Sequence, residues 1–156
     1  MHPRILIVDD HQIVRQGIRA LLAEFRPSWE ICGEAANAVE AVQAIGALAP
    51  DLVVLDITMP GRSGLDLTSQ IRSQGSPCKI LIFTMHHSQR LGSDVEAAGA
   101  QGFVLKSQAA RDLVVAIERI LGGGTFYGTE DESGGGGAPA PSRNFSFFYR
   151  LALAEI

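Results

Sequence analysis

Three carboxylates, one hydroxyl and one ammonium stand at the ends of four apolar runs in this chain of 156 residues. "RILIV" leads into Asp9 and Asp10, "LVVL" into Asp56, "KILIF" into Thr84 and "GFVL" into Lys106. A charged group at the mouth of an apolar strand costs desolvation unless something pairs with it. Carboxylates crowded together repel, and one is pushed to protonate unless a cation neutralises the set. Hard carboxylate oxygens suit an octahedral ion such as Mg2+, which keeps waters and takes phosphate as a further ligand. No soft ligand is nearby, which argues against zinc. Metal, ammonium and hydroxyl around one carboxylate are the groups that stabilise a transferring phosphoryl group, and a carboxylate can itself be the nucleophile, giving an acyl phosphate. Asp56, on the run that falls centrally, is the expected nucleophile.

The elements that must bring these residues together are legible in the apolar period. "RILIVDD", "WEICGEA", "DLVVLDI", "KILIFT" and "GFVLK" read as five strands. "QIVRQGIRALLAEF", "AVEAVQAIGALA" closed by Pro50, "GLDLTSQIRS", a weaker "SQRLGSDVEAAGA" and "AARDLVVAIERIL" read as the helices between and after them. The last helix is expected to stop at Gly122, Gly123 and Gly124. Apolar strands alternating with helices predict an α/β fold, a parallel sheet covered on both faces. In such a sheet all the polar strand ends lie on one carboxyl edge, where ligands bind.

Composition narrows the rest. Nearly half of the residues are apolar and the formal charge is -4, with no Lys/Arg run, so nothing argues for nucleic-acid binding. Cys32 and Cys78 have neither metal-ligand nor redox spacing and read as reduced thiols. The amino terminus has too few apolar positions for a signal peptide, and no run reaches the length of a membrane span, so a soluble cytoplasmic protein is expected.

In order and spacing, "ILIVDDH", "LVVLDITMPGRSG", "ILIFTMH" and "GAQGFVLKS" resemble the receiver domain of bacterial two-component response regulators, over about residues 4 to 121. "LKS" and the ending "GGGTFY" are most similar to the subfamily that precedes a LuxR-type helix-turn-helix output domain. The resemblance implies a flavodoxin-like, doubly wound, five-stranded sheet in the order 2-1-3-4-5. It implies that Asp56 accepts a phosphoryl group from a sensor histidine kinase. Asp10 and Asp56 would bind Mg2+ together with the backbone carbonyl of Thr58, Asp9 would act through water, and Lys106 would pair with phosphoryl oxygens. Thr84 and Phe103 would form the switch that remodels the surface of helix 4, strand 5 and helix 5, with Phe103 lacking the hydroxyl of the Tyr found in other members. Such a protein is a signalling switch, catalysing only its own phosphorylation and dephosphorylation, with a homodimer possible.

Several neighbours admit plainer roles. Asp9 or Asp10 would also serve as an N-cap of the first helix, and Phe103 as ordinary core. Adjacent His86 and His87 point apart in an extended loop and do not chelate; His86, with Thr58, is placed at the border of the phosphoryl pocket, where it would tune attack by water. Met85 either narrows access or packs. A haloacid-dehalogenase-type phosphatase would need a second acid where this chain has Thr58, and a flavin module would need a Gly- or hydroxyl-rich loop where it has "VDDHQ". A receiver acting only as a docking surface is the third alternative. The division expected is a receiver domain over residues 1–127, a Gly/Ser/Pro-rich linker over 128–144, and a short apolar tail over 145–156, too short for an output domain.

Overall fold

In the computed structural model of the chain, residues 2–128 are described. The tail, and the linker beyond its first residue, lie outside them. The elements run β1 (Arg4–Val8), α1 (Gln12–Phe25), β2 (Glu30–Ala35), α2 (Ala38–Leu48), β3 (Leu52–Asp56), β4 (Thr58–Met59), β5 (Arg62–Ser63), α3 (Gly64–Ser73), β6 (Lys79–Thr84), α4 (Leu91–Ala98), β7 (Gly102–Leu105), a 3-10 turn (Lys106–Gln108), α5 (Ala109–Leu121) and β8 (Phe126–Tyr127). The central sheet has the order β2-β1-β3-β6-β7-β8, with every pairing parallel. Its first five strands stand in the expected order. The sixth was not expected: Phe126 and Tyr127 pair with Gly102 and Phe103 and extend the sheet past its predicted edge. Nor was the hairpin of β4 and β5, which fills the turn after Asp56.

Strand burial follows from the two-sided cover. Every residue of β3 is buried, as are all but the first of β6, whereas the edge strand β2 buries only Ala35 fully. Side chains alternate strictly. Ile5, Ile7, Leu52, Val54, Leu81, Phe83 and Val104 pack on α1 and α5. Leu6, Val8, Val53, Leu55, Ile80, Ile82 and Phe103 face α2, α3 and α4. Each aliphatic side chain so enclosed contributes about 1.5–3 kcal/mol relative to exposure, which is why the apolar runs hold their register so firmly.

Local signals set the ends. Asn37 caps α2 by accepting from Glu40 N at 2.9 Å, while the Glu40 carboxylate turns back to accept from Ala36 N at 2.7 Å. The helix stops at Leu48, one residue earlier than predicted, because Ala49 turns left-handed (φ 47°) ahead of Pro50. The fourth helix is shorter than its predicted span. Ser88–Arg90 form a turn in which Leu91 N donates to Ser88 O, and Gly99 (φ 99°) ends the helix. No helix among the described residues is long and apolar enough to cross a membrane.

Candidate functional site

Register aligns the strand ends. Val8 pairs with Leu55, so Asp9, the residue after Val8, comes beside Asp56. Asp56 pairs with Phe83, placing Thr84 one residue further on, and Thr84 pairs with Leu105, placing Lys106 one further again. The hydrophobic run of each strand therefore decides which polar residue reaches the edge.

Lys106 is the centre of charge. Its side chain is 2% exposed, and Nζ lies 2.8 Å from Asp9 Oδ2 and 3.4 Å from Asp56 Oδ1. The buried ammonium also stands 5.8 Å from the centroid of the Phe83 ring. Three carboxylates against one ammonium leave an excess of two negative charges once all are ionised. The cost of that excess is seen at Asp56, whose carboxyl is raised from 3.8 to about 7 by burial first and then by the charge of Asp9, against the pull of Lys106 and the Thr58 N–H. Thr58 N donates to Asp56 Oδ1 at 3.1 Å.

The acid pair is held by its own backbone and by α1. Arg15 donates to the Asp9 carbonyl at 2.6 Å and to Glu34 at 3.1 Å, tying the loop to β2. Neither Asp is the N-cap of α1; that position is His11, whose side chain makes no capping bond. Instead His11 N donates to Asp9 Oδ1 at 2.9 Å, and its Nδ1 lies 3.0 Å from Asp10 Oδ1 and 3.3 Å from Asp9 Oδ1. Although Lys106 and His11 stand close, neither Asp9 Oδ2 nor Asp10 Oδ1 gains a hydrogen bond of proper geometry, and both atoms are buried. Buried carboxylate oxygens gathered beside a negative excess are a donor set that a hard divalent cation suits. The ligand atoms of Asp9, Asp10, His11 and Asp56 all lie within 4.8 Å of one another. The sequence reading had counted no softer donor here; the imidazole of His11 is one.

These groups open on a cavity of about 270 Å³ lined by Asp10, His11, Asp56, Thr58, Met85, His86 and Lys106, with Met59 and Pro60. Asp9 lies beneath it, 1% exposed. Thr84 is likewise 1% exposed and is not part of the lining; its Oγ1 accepts from His86 N at 3.3 Å. The two histidines diverge: His86 borders the cavity, and the His87 ring is 6.3 Å from that of Phe103. Phe103 is buried on the α4 side of the sheet, among Leu91, Val95 and Ile82. A larger groove of about 880 Å³ lies at the opposite, amino edge, between Pro3, Pro50 and Pro77. There Asp51 accepts from Arg4 N at 2.8 Å.

The glycine that opens α3 shortly after Asp56 has a steric reason. A Cβ on Gly64 would stand 2.3 Å from the Asp56 carbonyl oxygen and 2.8 Å from Ile57 Cα. Only glycine lets α3 start this close beneath the strand end, where Gly64 N donates to Ile57 O at 2.8 Å.

A parallel sheet of this order, with acids, a hydroxyl and a buried lysine at its carboxyl edge, defines a receiver-type signalling module and not a typical enzyme. The chain belongs to the response regulator receiver domain family, whose sequence profile matches residues 5–118. It is similar to the response regulator UvrY of Escherichia coli O6:H1, at 35% identity over 126 residues, 81% of this chain and 57% of UvrY. It is similar also to the oxygen regulatory protein NreC of Staphylococcus epidermidis, at 36% identity over 79% of this chain and 56% of NreC. The chain thus spans little more than half the length of these relatives. Among solved structures, a LuxR-family two-component response regulator from Aurantimonas sp. SI85-9A1 matches with a TM-score of 0.75 and 36% identity over 99% of both chains. The isolated REC domain of RcsB from Salmonella enterica serovar Typhimurium, in the presence of phosphomimetic BeF3-, matches with a TM-score of 0.75 and 26% identity, over 83% of this chain and 95% of that one. The receiver is of the LuxR type.

Proposed function

We propose that the chain is a phosphorylation-controlled switch in a two-component phosphorelay, with Asp56 as the residue that carries the phosphoryl group. The observation that carries this reading is the Lys106 ammonium, buried between Asp9 and Asp56 at one strand edge. In the transfer, an Asp56 carboxylate oxygen forms a bond to phosphorus as the bond from phosphorus to the imidazole nitrogen of a sensor kinase phosphohistidine breaks, and the imidazole leaves. Lys106 then neutralises a phosphoryl oxygen, and the Thr84 hydroxyl turns to donate to another. Asp10, Asp56 and the Thr58 carbonyl would hold Mg2+, with Asp9 acting through water; the ion, when bound, supplies the positive charge that the three acids lack. Thr58, Met85 and His86 line the approach to phosphorus and tune hydrolysis of the acyl phosphate. Departure of Thr84 from its place beneath His86 N frees space for Phe103, and the surface of α4, β7 and α5 carries the change outward.

The partners of this reading are a sensor histidine kinase and, through helix faces, a second copy of the chain. A full-length form would regulate transcription. Thr58 stands where a dehalogenase-type phosphatase needs its second acid, which favours one stable phosphoryl group per chain over turnover of phosphate esters.

The experiment is an intact-mass measurement after incubation with acetyl phosphate and Mg2+. The expected result is the gain of one phosphoryl group by the native chain and none by Asp56→Asn. Equal modification of both proteins would overturn the assignment.

A further inference from the structure

We infer that Arg15 is a positioning residue for phosphoryl transfer: braced on Glu34, its guanidinium holds the Asp9 carbonyl and so aims the Asp10 carboxylate into the cavity beside Asp56. The inference rests on the proposed function, to which it adds a participant outside the cavity lining.

The two neighbouring acids are held by different means. Asp9 is buried, with its carboxylate against the Lys106 ammonium and the His11 N–H. Asp10 stands at the cavity, where its carboxylate meets the His11 ring at 3.0 Å, and that ring is itself 36% exposed. Such a ring is a soft support, so the direction of the Asp10 side chain is set chiefly by its backbone.

That backbone is fixed at one peptide unit. Asp9 N donates to Ala35 O at 3.0 Å, which extends the pairing of β1 with β2 by one bond. The Asp9 carbonyl then turns towards α1 and accepts from Arg15 Nη1 at 2.6 Å. Asp9 C=O and Asp10 N–H lie in one plane, so the place of the oxygen sets the angle at which the chain enters Asp10, and with it the direction of Cβ.

The brace has its own anchor. The Arg15 side chain is 15% exposed, and its Nε donates to Glu34 Oε1 at 3.1 Å. The second oxygen of Glu34 accepts from Arg19 Nε at 2.9 Å, so two arginines of α1 clamp one carboxylate of β2. A planar guanidinium fork serves Glu34 and the Asp9 carbonyl together; an ammonium on a flexible stem cannot reproduce that geometry.

A charge role and a positioning role predict opposite signs. Removing a positive charge near three acids tightens a divalent cation, whereas misdirecting one carboxylate loosens it. The test follows the initial rate of mass gain by the full chain with acetyl phosphate as Mg2+ is varied. In Arg15→Gln the half-saturating Mg2+ concentration is expected to rise about tenfold, the scale on which supporting hydrogen bonds act, while the rate at saturating Mg2+ stays near the native value. Arg15→Lys, which keeps the charge without the fork, should show the same direction of change. Arg19→Gln leaves the Asp9 carbonyl bonded and should behave as the native chain. Thermal melts certify that each variant is folded, and Arg15→Lys alone decides the matter where Arg15→Gln is not. An unchanged or lower half-saturating concentration in Arg15→Gln, or native behaviour in Arg15→Lys, would overturn the inference and leave Asp56 as the acceptor. A native chain that gains no phosphoryl group would overturn both.

Discussion

Gly128 roofs the ring of Phe103: a Cβ at that position would lie 2.7 Å from both Cε2 and Cζ of the ring. The same glycine adopts φ 72° and donates its N–H to Phe103 O at 3.2 Å, at the end of β8. Phe103 is thus enclosed by its own strand pairing as well as by the helices. Gly128→Ala is expected to cost about 1–3 kcal/mol, from left-handed backbone and a displaced ring together. Urea unfolding at constant slope measures it. A change below about 0.5 kcal/mol would mean that β8 does not confine the ring.

Asp56 makes stability depend on pH in an unusual sense. Its folded carboxyl titrates at about 7 and its ordinary value is 3.8, so the metal-free folded chain holds this proton more tightly than the unfolded one. That contribution is complete below about pH 4, declines as pH rises from there towards 7, and is gone above. Asp56→Asn removes the titration. At pH 8 in EDTA the variant is expected to be more stable than the native chain, by on the order of 4 kcal/mol relative to their difference at pH 4. Thermal melts across that range decide the point, and parallel curves would contradict it. Addition of Mg2+ should reverse the trend, since the ion binds the ionised carboxylate, and its affinity should rise with pH until about 7.

The sequence-to-structure relation has the same physical logic. α1, α3, β6 and α5 fall where the apolar period puts them, because each buries a continuous stripe or run whose displacement would expose several large side chains. The polar strand ends were legible for the same reason: they are what is left when the buried runs stop. β8 was not, since a Phe-Tyr pair has no period, and its pairing partner lies more than twenty residues earlier at Gly102 and Phe103. The start of α4 depended on a turn at Ser88–Arg90 that no apolar residue marks. His11 was overlooked as a site residue because its type and position fit a polar helix lead-in. Its ring orientation over Asp9 and Asp10 is set by the fold.

Gly64→Ala tests how the strand end is positioned. The clash of a new Cβ with the Asp56 carbonyl oxygen is between backbone and backbone, so no side-chain rotation relieves it. Either α3 retreats or Asp56 shifts. The expected outcome is a loss of acetyl phosphate-dependent modification by at least tenfold in protein that remains folded by circular dichroism, because misplacement by about 1 Å costs on the order of 100-fold in a positioned reaction. Full modification at the native rate would mean that the helix moved and the site did not.

Lys106→Met separates the lysine's part in folding from its part in chemistry. In the metal-free chain the ammonium is the cation within 4 Å of both Asp9 and Asp56. Removing one partner of a buried ionic set leaves uncompensated charge and costs about 3–5 kcal/mol. The acids left behind can lower that cost by taking up protons. The destabilisation should therefore be largest at pH 8 in EDTA and shrink as pH falls, and Mg2+ should restore part of it by replacing the lost positive charge. Phosphorylation would not recover with stability, because the ion neutralises the acids but leaves the phosphoryl oxygen that faces Lys106 without its partner. Denaturant curves at pH 8 with and without Mg2+, set beside intact mass after acetyl phosphate, read the two roles independently. A variant stabilised by Mg2+ and phosphorylated at the native rate would confine Lys106 to holding the acids together.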